Sequence, residues 1–259
     1  MLWWISALAW GQVNAEDLAD KAGSPGLAGD LSARGAFFLG NLDLVDVEGV
    51  ARGHWTRVDP KTEALRTRLL AQISGALRTL AGRRLLDQRL IHLRATHFDR
   101  ARFGPDVFAQ LNNDVIRLLR WRAVGGVGVS ARPFVFDAWE VGFGTAYMAE
   151  FEDRNVTDEP RQVLNHRWST YVSWTAQLHE TFSWTNTVYV QPRFDRFADL
   201  QVLNETAVRF AVAKWLSYVT TVQLRVDTEP PMGVVPVDAR FIVGLMLHGA
   251  RPPHLRAPL

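Results

Sequence analysis

The chain has 259 residues, 47% of them hydrophobic and 22% charged, a length that fits one large domain or two small ones and a composition that excludes wholesale disorder. Its net charge is +2 and its pI of 9.2 reflects 26 Arg against 3 Lys, so no strong nucleic-acid signature exists. No stretch reaches eighteen apolar residues, which excludes a helical membrane span, and zero Cys excludes disulfides, thiolate metal sites and a Cys nucleophile while suiting an oxidising compartment.

Along the chain, Leu2 to Trp10 form an apolar run, followed by Val13-Asn14-Ala15 with small or short residues where a signal peptidase reads. Residues 1–15 therefore read as a signal peptide, although only Met1 precedes the run and no basic segment does. A buried or disordered N-terminus is the competing reading. Residues 16–28 are polar and carry Gly23-Ser24-Pro25-Gly26, as a periplasmic lead-in would. Residues 29–249 read as one barrel, and the Pro-rich residues 250–259 as a disordered tail.

The barrel reading rests on period-two alternation. From Trp139 to Phe151, Trp139, Val141, Phe143, Thr145, Tyr147 and Ala149 share one face against Glu140, Gly142, Gly144, Ala146, Met148 and Glu150. Residues 166–178 and 237–247 repeat it. Such runs exceed the five or six residues of an average soluble strand and match the roughly nine to eleven that a tilted membrane strand needs. Turn signals at Asp59-Pro60, Gly104-Pro105, 151–165, Pro192 and 227–236 divide the chain into about twelve strands. These fall near 30–40, 44–56, 65–78, 86–97, 107–118, 121–132, 139–151, 166–178, 181–191, 200–212, 216–227 and 237–248. In the first half a helix competes, since Leu65, Leu69, Leu70, Ile73, Leu77 and Leu80 stand at helical spacing as well. The second half tips the choice to strand, giving an all-β antiparallel transmembrane β-barrel.

The faces then separate by chemistry. Trp139, Tyr147, Trp168, Trp174 and Trp184 are expected toward lipid, in the interfacial belts that amphipathic rings favour. Lumen-facing charges are expected at Arg66, Arg68, Arg94, Arg122, Glu140, Arg167, Glu205, Arg209, Arg225, Asp238 and Arg240. They form either a salt-bridged plug or an Arg-lined path for an anionic solute. Gly126, Gly128, Gly142 and Gly144 share the inner face of two adjacent strands, where they either open a side pocket or relieve strain. Asn186 and Asn204 fall on the lipid face, which points to a register shift or to a bond between the two amides.

No catalytic motif emerges. The seven His are scattered, with no HExxH pair, GxSxG elbow or P-loop, so no enzyme, metal or cofactor is expected. Ser169, Ser173, His166 and Asp158 are the rim residues a barrel hydrolase would need.

The second half resembles the YdiY-like family of salt-induced outer-membrane proteins, a family of unknown function. The resemblance lies in Tyr189-Val190-Gln191-Pro192 leading through Phe194 to Phe197-Ala198-Asp199, in Leu203-Asn204-Glu205-Thr206, in Asp227-Thr228-Glu229-Pro230-Pro231 with Asp238, and in Tyr147 through Phe151-Glu152-Asp153. Gly40-Asn41-Leu42 fits more faintly. It covers about residues 121–248 and implies a monomeric barrel in the outer membrane of a Gram-negative bacterium. Its partners would be membrane lipid and the barrel-assembly machinery. Together with the alternating faces it points to a structural, osmotic or salt-stress role or a narrow passive pore, for which the inward Arg residues make small anions the solute. The chain departs from the usual aromatic C-terminal residue of such barrels. A soluble periplasmic barrel or sandwich that binds a ligand is the alternative, and an outer-membrane hydrolase a third.

Overall fold

The computed structural model describes residues 25–38, 44–62, 64–99, 102–157 and 160–248. The expected signal peptide, most of the lead-in and the Pro-rich tail lie outside them, as does Asp158. Twelve strands follow in order: β1 (Gly26–Phe38), β2 (Leu44–Val58), β3 (Leu65–Leu80), β4 (Arg83–His97), β5 (Phe103–Asp114), β6 (Leu119–Val135), β7 (Trp139–Arg154), β8 (Gln162–His179), β9 (Phe182–Pro192), β10 (Leu200–Ala213), β11 (Leu216–Asp227) and β12 (Val237–His248). Each pairs antiparallel with its neighbours in sequence, and β1 pairs with β12 to close the barrel. The helical spacing in 65–80 therefore yields to period two: Leu70, Gln72, Ser74 and Ala76 are buried while Leu69 and Ile73 are exposed.

One expected turn is displaced. Gly104-Pro105 lies inside β5, which begins four residues before the expected strand, and the chain reverses at 98–102 instead. Pro at the third position of the strand removes a donor only where the ladder is beginning, a place that tolerates it. The first strand likewise begins at Gly26, inside the expected lead-in.

The outer face is apolar and aromatic, which a soluble barrel or sandwich would not present to water. Phe143, Val172, Trp174, Phe241 and Leu245 are among the large exposed side chains. Aromatics gather in two bands. Phe136 stacks on Trp139 at 4.3 Å, and Trp139 and Trp184 both flank Trp174. Toward the opposite rim, Trp121 stacks on Phe151 at 4.8 Å, and Tyr147 and Trp168 flank Phe194. The step from Trp139 to Phe151 spans about 40 Å of strand at roughly 3.4 Å per residue, or about 28 Å of membrane normal at a 45° tilt. That matches the hydrocarbon band of an outer membrane, and the closed barrel is an outer-membrane protein.

The bands are not uniform around the circumference. On β4 the outer face carries Ile91, Leu93 and Ala95, but then Arg89 and Asp87, paired at 3.3 Å. The aromatics concentrate on β5 to β10. Connections are uneven too. One rim carries 155–161, 193–199 and 228–236, while on the rim that holds the outer ends of β1 and β12 the connections run from 59–64 down to the two-residue turns 180–181 and 214–215. The two are called here the loop rim and the turn rim.

Asn186 and Asn204 do face outward, with no shift of register between β9 and β10. Thr206 explains them: Asn186 donates to its hydroxyl at 2.8 Å, and that hydroxyl donates to Asn204 at 3.4 Å. A polar trio on the lipid face satisfies itself, as it must in hydrocarbon.

Candidate functional site: the charged lumen

Alternation along each strand turns all eleven expected charges inward, and the stagger of neighbouring strands decides whom each one meets. Toward the loop rim, Glu150 on β7 is fully buried between two guanidinium groups. Arg122 on β6 binds it, and Arg167 on β8 donates to it at 2.8 Å. Arg167 also reaches Asp199 at 3.0 Å, and Asp199 in turn accepts from Arg193 at 3.0 Å. Arg122 approaches Glu152 at 3.6 Å, which Arg154 also holds. The chain of alternating signs keeps every buried ion opposite a partner, the condition for burying it at all.

Toward the turn rim the units are smaller. Arg94 makes a two-pronged contact with Asp106, whose carboxylate also accepts from Thr96 at 2.9 Å and Ser130 at 3.0 Å. The Arg94 guanidinium lies 5.1 Å from the centre of the Tyr171 ring. Glu140 pairs with Arg132. Arg66 turns to the rim, where it donates to Asp59 at 2.8 Å; that contact, joined by the Lys61 and Thr62 amides, lowers the Asp59 pKa to about 2. Arg68 sits beside Arg132 and Glu140 in a small recess.

Between the two charged layers lies an apolar belt of Phe108, Val124, Ala146, Met148, Tyr171, Tyr189 and Leu203. It accounts for the inner glycines. A Cβ on Gly126 would stand 2.2 Å from the Phe108 ring, and one on Gly144 would stand 2.5 Å from Tyr171. At Gly126 and Gly144 the space is thus filled by rings on β5 and β8, whereas a Cβ on Gly128 would stand 2.1 Å from the backbone oxygen of Thr145 on β7. Gly142 alone borders the recess by Arg68.

The wall opposite the belt is looser. Glu205 accepts from Gln223 at 2.6 Å. Arg240 lies 3.4 Å from Glu48, and Arg52 lies 3.6 Å from Asp30. Arg209 and Asp238 are half-buried on the same inner face. Arg225 is different. Its guanidinium is buried, and none of its three nitrogens finds a hydrogen-bond partner in the protein. Arg117 and Arg122 stand close enough to repel it, and Asp227 and Asp114 close enough to attract it. Asp227 is already engaged by Arg117 at 3.3 Å and by Gln201 at 3.3 Å. Across the lumen, both ring nitrogens of His92 also lack partners in the protein.

Several of these groups escape sequence reasoning. Asp106 falls in the stretch read as a turn, and Arg117, Asp199 and Asp227 lie in loops or at strand ends where alternation carries no face. The hydrolase residues do not meet: Ser169 and Ser173 are buried in the lumen, whereas His166 is on the outer face bonded to Tyr147. The five expected interfacial aromatics all face outward, although Trp168 stands six residues inside β8 rather than at its end.

A sequence profile described as "Protein of unknown function, DUF481" matches residues 55–248. The chain belongs to the DUF481 family. The YdiY-like resemblance is consistent with that membership, and no curated protein gives a significant sequence match. The DUF481 barrel is also similar to solved structures. The NanC porin aligns with a TM-score of 0.51 at 6% identity, over 86% of this chain and 100% of that one. The translocator domain of the autotransporter NalP from Neisseria meningitidis aligns at 0.48 and 10% identity, over 90% and 91%. A KdgM porin in complex with disordered oligogalacturonate aligns at 0.43 and 7% identity, over 85% and 98%. At such identities the likeness concerns the fold alone.

Proposed function

We propose that this barrel is a narrow passive pore that conducts small anions across the outer membrane. The observation that carries the reading is Arg225. An ionised guanidinium with no hydrogen-bond partner is costly to bury, and an anion is the group that relieves it. Arg117 and Arg122 add positive potential around it, against the carboxylates of Asp114 and Asp227. Arg240, Arg209 and Arg52 continue along the same wall toward the turn rim. The partnerless ring nitrogens of His92 point the same way, because each would cost about 1–3 kcal/mol in a dry plug. Water or solute in the lumen satisfies them. A role in osmotic or salt stress rests on the family resemblance, and growth of a deletion strain in high salt tests it.

The pore itself is tested by reversal potential in a planar bilayer under a salt gradient. The native barrel is expected to favour chloride over potassium. Arg225→Gln should reduce that preference, and Arg209→Glu with Arg240→Glu should turn it toward cations. Absence of conductance, or a reversal potential indifferent to all three changes, would mean the lumen is a plug.

A further inference from the structure

The turn between β5 and β6 folds into the mouth of the barrel at the loop rim and touches three of its sides. Ile116 packs on an apolar patch of the inner wall made by Val50 on β2, Ala76 on β3, and Leu86 and Leu90 on β4. Arg117 is buried and crosses to Asp227 at the end of β11, 3.3 Å away. The Leu118 carbonyl accepts from the Asn155 amide, just beyond β7, at 2.6 Å. Its side chain lies 4.0 Å from where a Cβ on Gly233, in the 228–236 loop, would stand. The turn is also fastened from within. Asp114 accepts from the Ile116 and Arg117 amides at 3.1 and 3.2 Å, and Leu118 holds a φ of +57°, in the left-handed region that side chains disfavour. Backbone strain of this kind persists only where surrounding contacts impose it, and it gathers at switch segments.

We infer that this turn is the gate of the pore, and that a polyatomic oxyanion such as phosphate or sulfate opens it by drawing Arg117 away from Asp227. The inference rests on the anion-pore reading and names both its solute class and its control. The ion pair of Arg117 and Asp227 is the contact for which an anion competes. Nη1 of Arg117 has no hydrogen-bond partner in the protein, and Arg225 nearby has three more nitrogens without one. These four donors belong to two planar forks, a set that an anion with several oxygens fills and a halide, with its single centre, does not. All four are shielded from solvent while the turn is down, so an anion reaches them only as the turn lifts. Bound there, it screens the repulsion between the two guanidinium groups, and Asp227 keeps its bond from Gln201 at 3.3 Å. The oxyanion thus binds the open form and not the closed one, which is the condition for shifting the balance between them.

The test is the rate at which a thiol reagent modifies Ile116→Cys in the folded barrel, where the introduced thiol is the sole one in the chain. Position 116 is seated against the wall, so the rate reports how often the turn leaves it. An anion that binds only the open form, supplied at about ten times its dissociation constant, raises the open population about tenfold. Inorganic phosphate in place of chloride, at equal ionic strength and pH, is therefore expected to speed labelling about tenfold. Asp227→Asn in the same background should speed it in chloride alone. Arg225→Gln leaves the latch intact and should keep the slow rate while losing the response to phosphate. In a planar bilayer, a cleavable cross-link between Arg117→Cys and Asp227→Cys should abolish conductance until it is cut. Labelling needs no current, so the two readings fail separately: a barrel that labels as expected yet never conducts keeps the oxyanion-operated lid and loses the pore. Equal labelling rates in the two salts, or a cross-linked barrel that conducts like the free one, would overturn the proposal.

Discussion

Replacing Glu150 by Gln tests whether the lumen is held by paired charge. Glu150 is wholly buried, and it stands between Arg122 and Arg167, each at most 3% exposed. Gln keeps the shape and can still accept a hydrogen bond, but it removes the one negative charge both guanidinium groups share. Removing one partner of a buried ion pair costs about 3–5 kcal/mol. Arg167 retains Asp199 at 3.0 Å and Arg122 retains Glu152 at 3.6 Å, so the lower end applies, about 3 kcal/mol. That is about a 150-fold change in the unfolding equilibrium. At a urea slope of about 2 kcal/mol/M it moves the midpoint down by roughly 1.5 M. Urea titration of the barrel in lipid vesicles, followed by its Trp fluorescence, measures it. Arg122→Met with Glu150→Leu removes both charges and should recover most of the loss, because apolar pairs of similar volume replace buried ion pairs at little cost. A Glu150→Gln midpoint within about 0.3 M of the native one, or about 0.6 kcal/mol at that slope, would refute the reasoning and mean water already screens the cluster.

Three further expectations follow from the geometry. Gly144→Ala places a methyl 2.5 Å from the Tyr171 ring and should cost about 1–3 kcal/mol; adding Tyr171→Ala should relieve the clash, and an unaltered single variant would argue that the ring is not packed there. The Asp59 carboxyl should titrate near pH 2 by NMR and move back toward 3.8 in Arg66→Gln. Its folded pKa lies below the unfolded one, so its stabilising contribution is complete above pH 3.8 and is lost as pH falls through about 2; a midpoint near 4 in the native protein would dissolve the Arg66 contact. Trp139→Ala forfeits the stack on Phe136 and the contact with Trp174, about 1–2 kcal/mol, readable in the same urea titration; no change would mean the ring merely dissolves in lipid.

The parts of this structure that sequence conveys are those set by one strand alone. Alternation in β7, β8 and β12 reveals which side chains go in and which go out, because a strand's two faces follow from its own backbone. The parts that depend on stagger between strands stay hidden. Nothing near Glu150 tells that Arg122 and Arg167 will flank it, since those residues lie 28 and 17 positions away along the chain. The inner glycines are visible as a pattern, yet their purpose belongs to Phe108 and Tyr171 on other strands. Asp106 was hidden for a different reason: Gly104-Pro105 has turn chemistry, and its strand role depends on lying where the ladder begins.

The outer-face ion pair of Asp87 and Arg89 has a consequence for how the barrel rides in its membrane. On β7 the apolar span is about 28 Å along the normal, whereas on β4 the stretch from Ile91 to Ala95 supplies only about 10 Å at the same rise and tilt before charge begins. Lipid cannot be thick on one flank and thin on the other without strain, and the strain is relieved by thinning the bilayer locally or by leaning the cylinder. A leaning barrel has a short flank and a tall flank. Neighbours whose own hydrophobic height is small will pack against the short one, so the molecule carries a lateral polarity within the plane of the membrane.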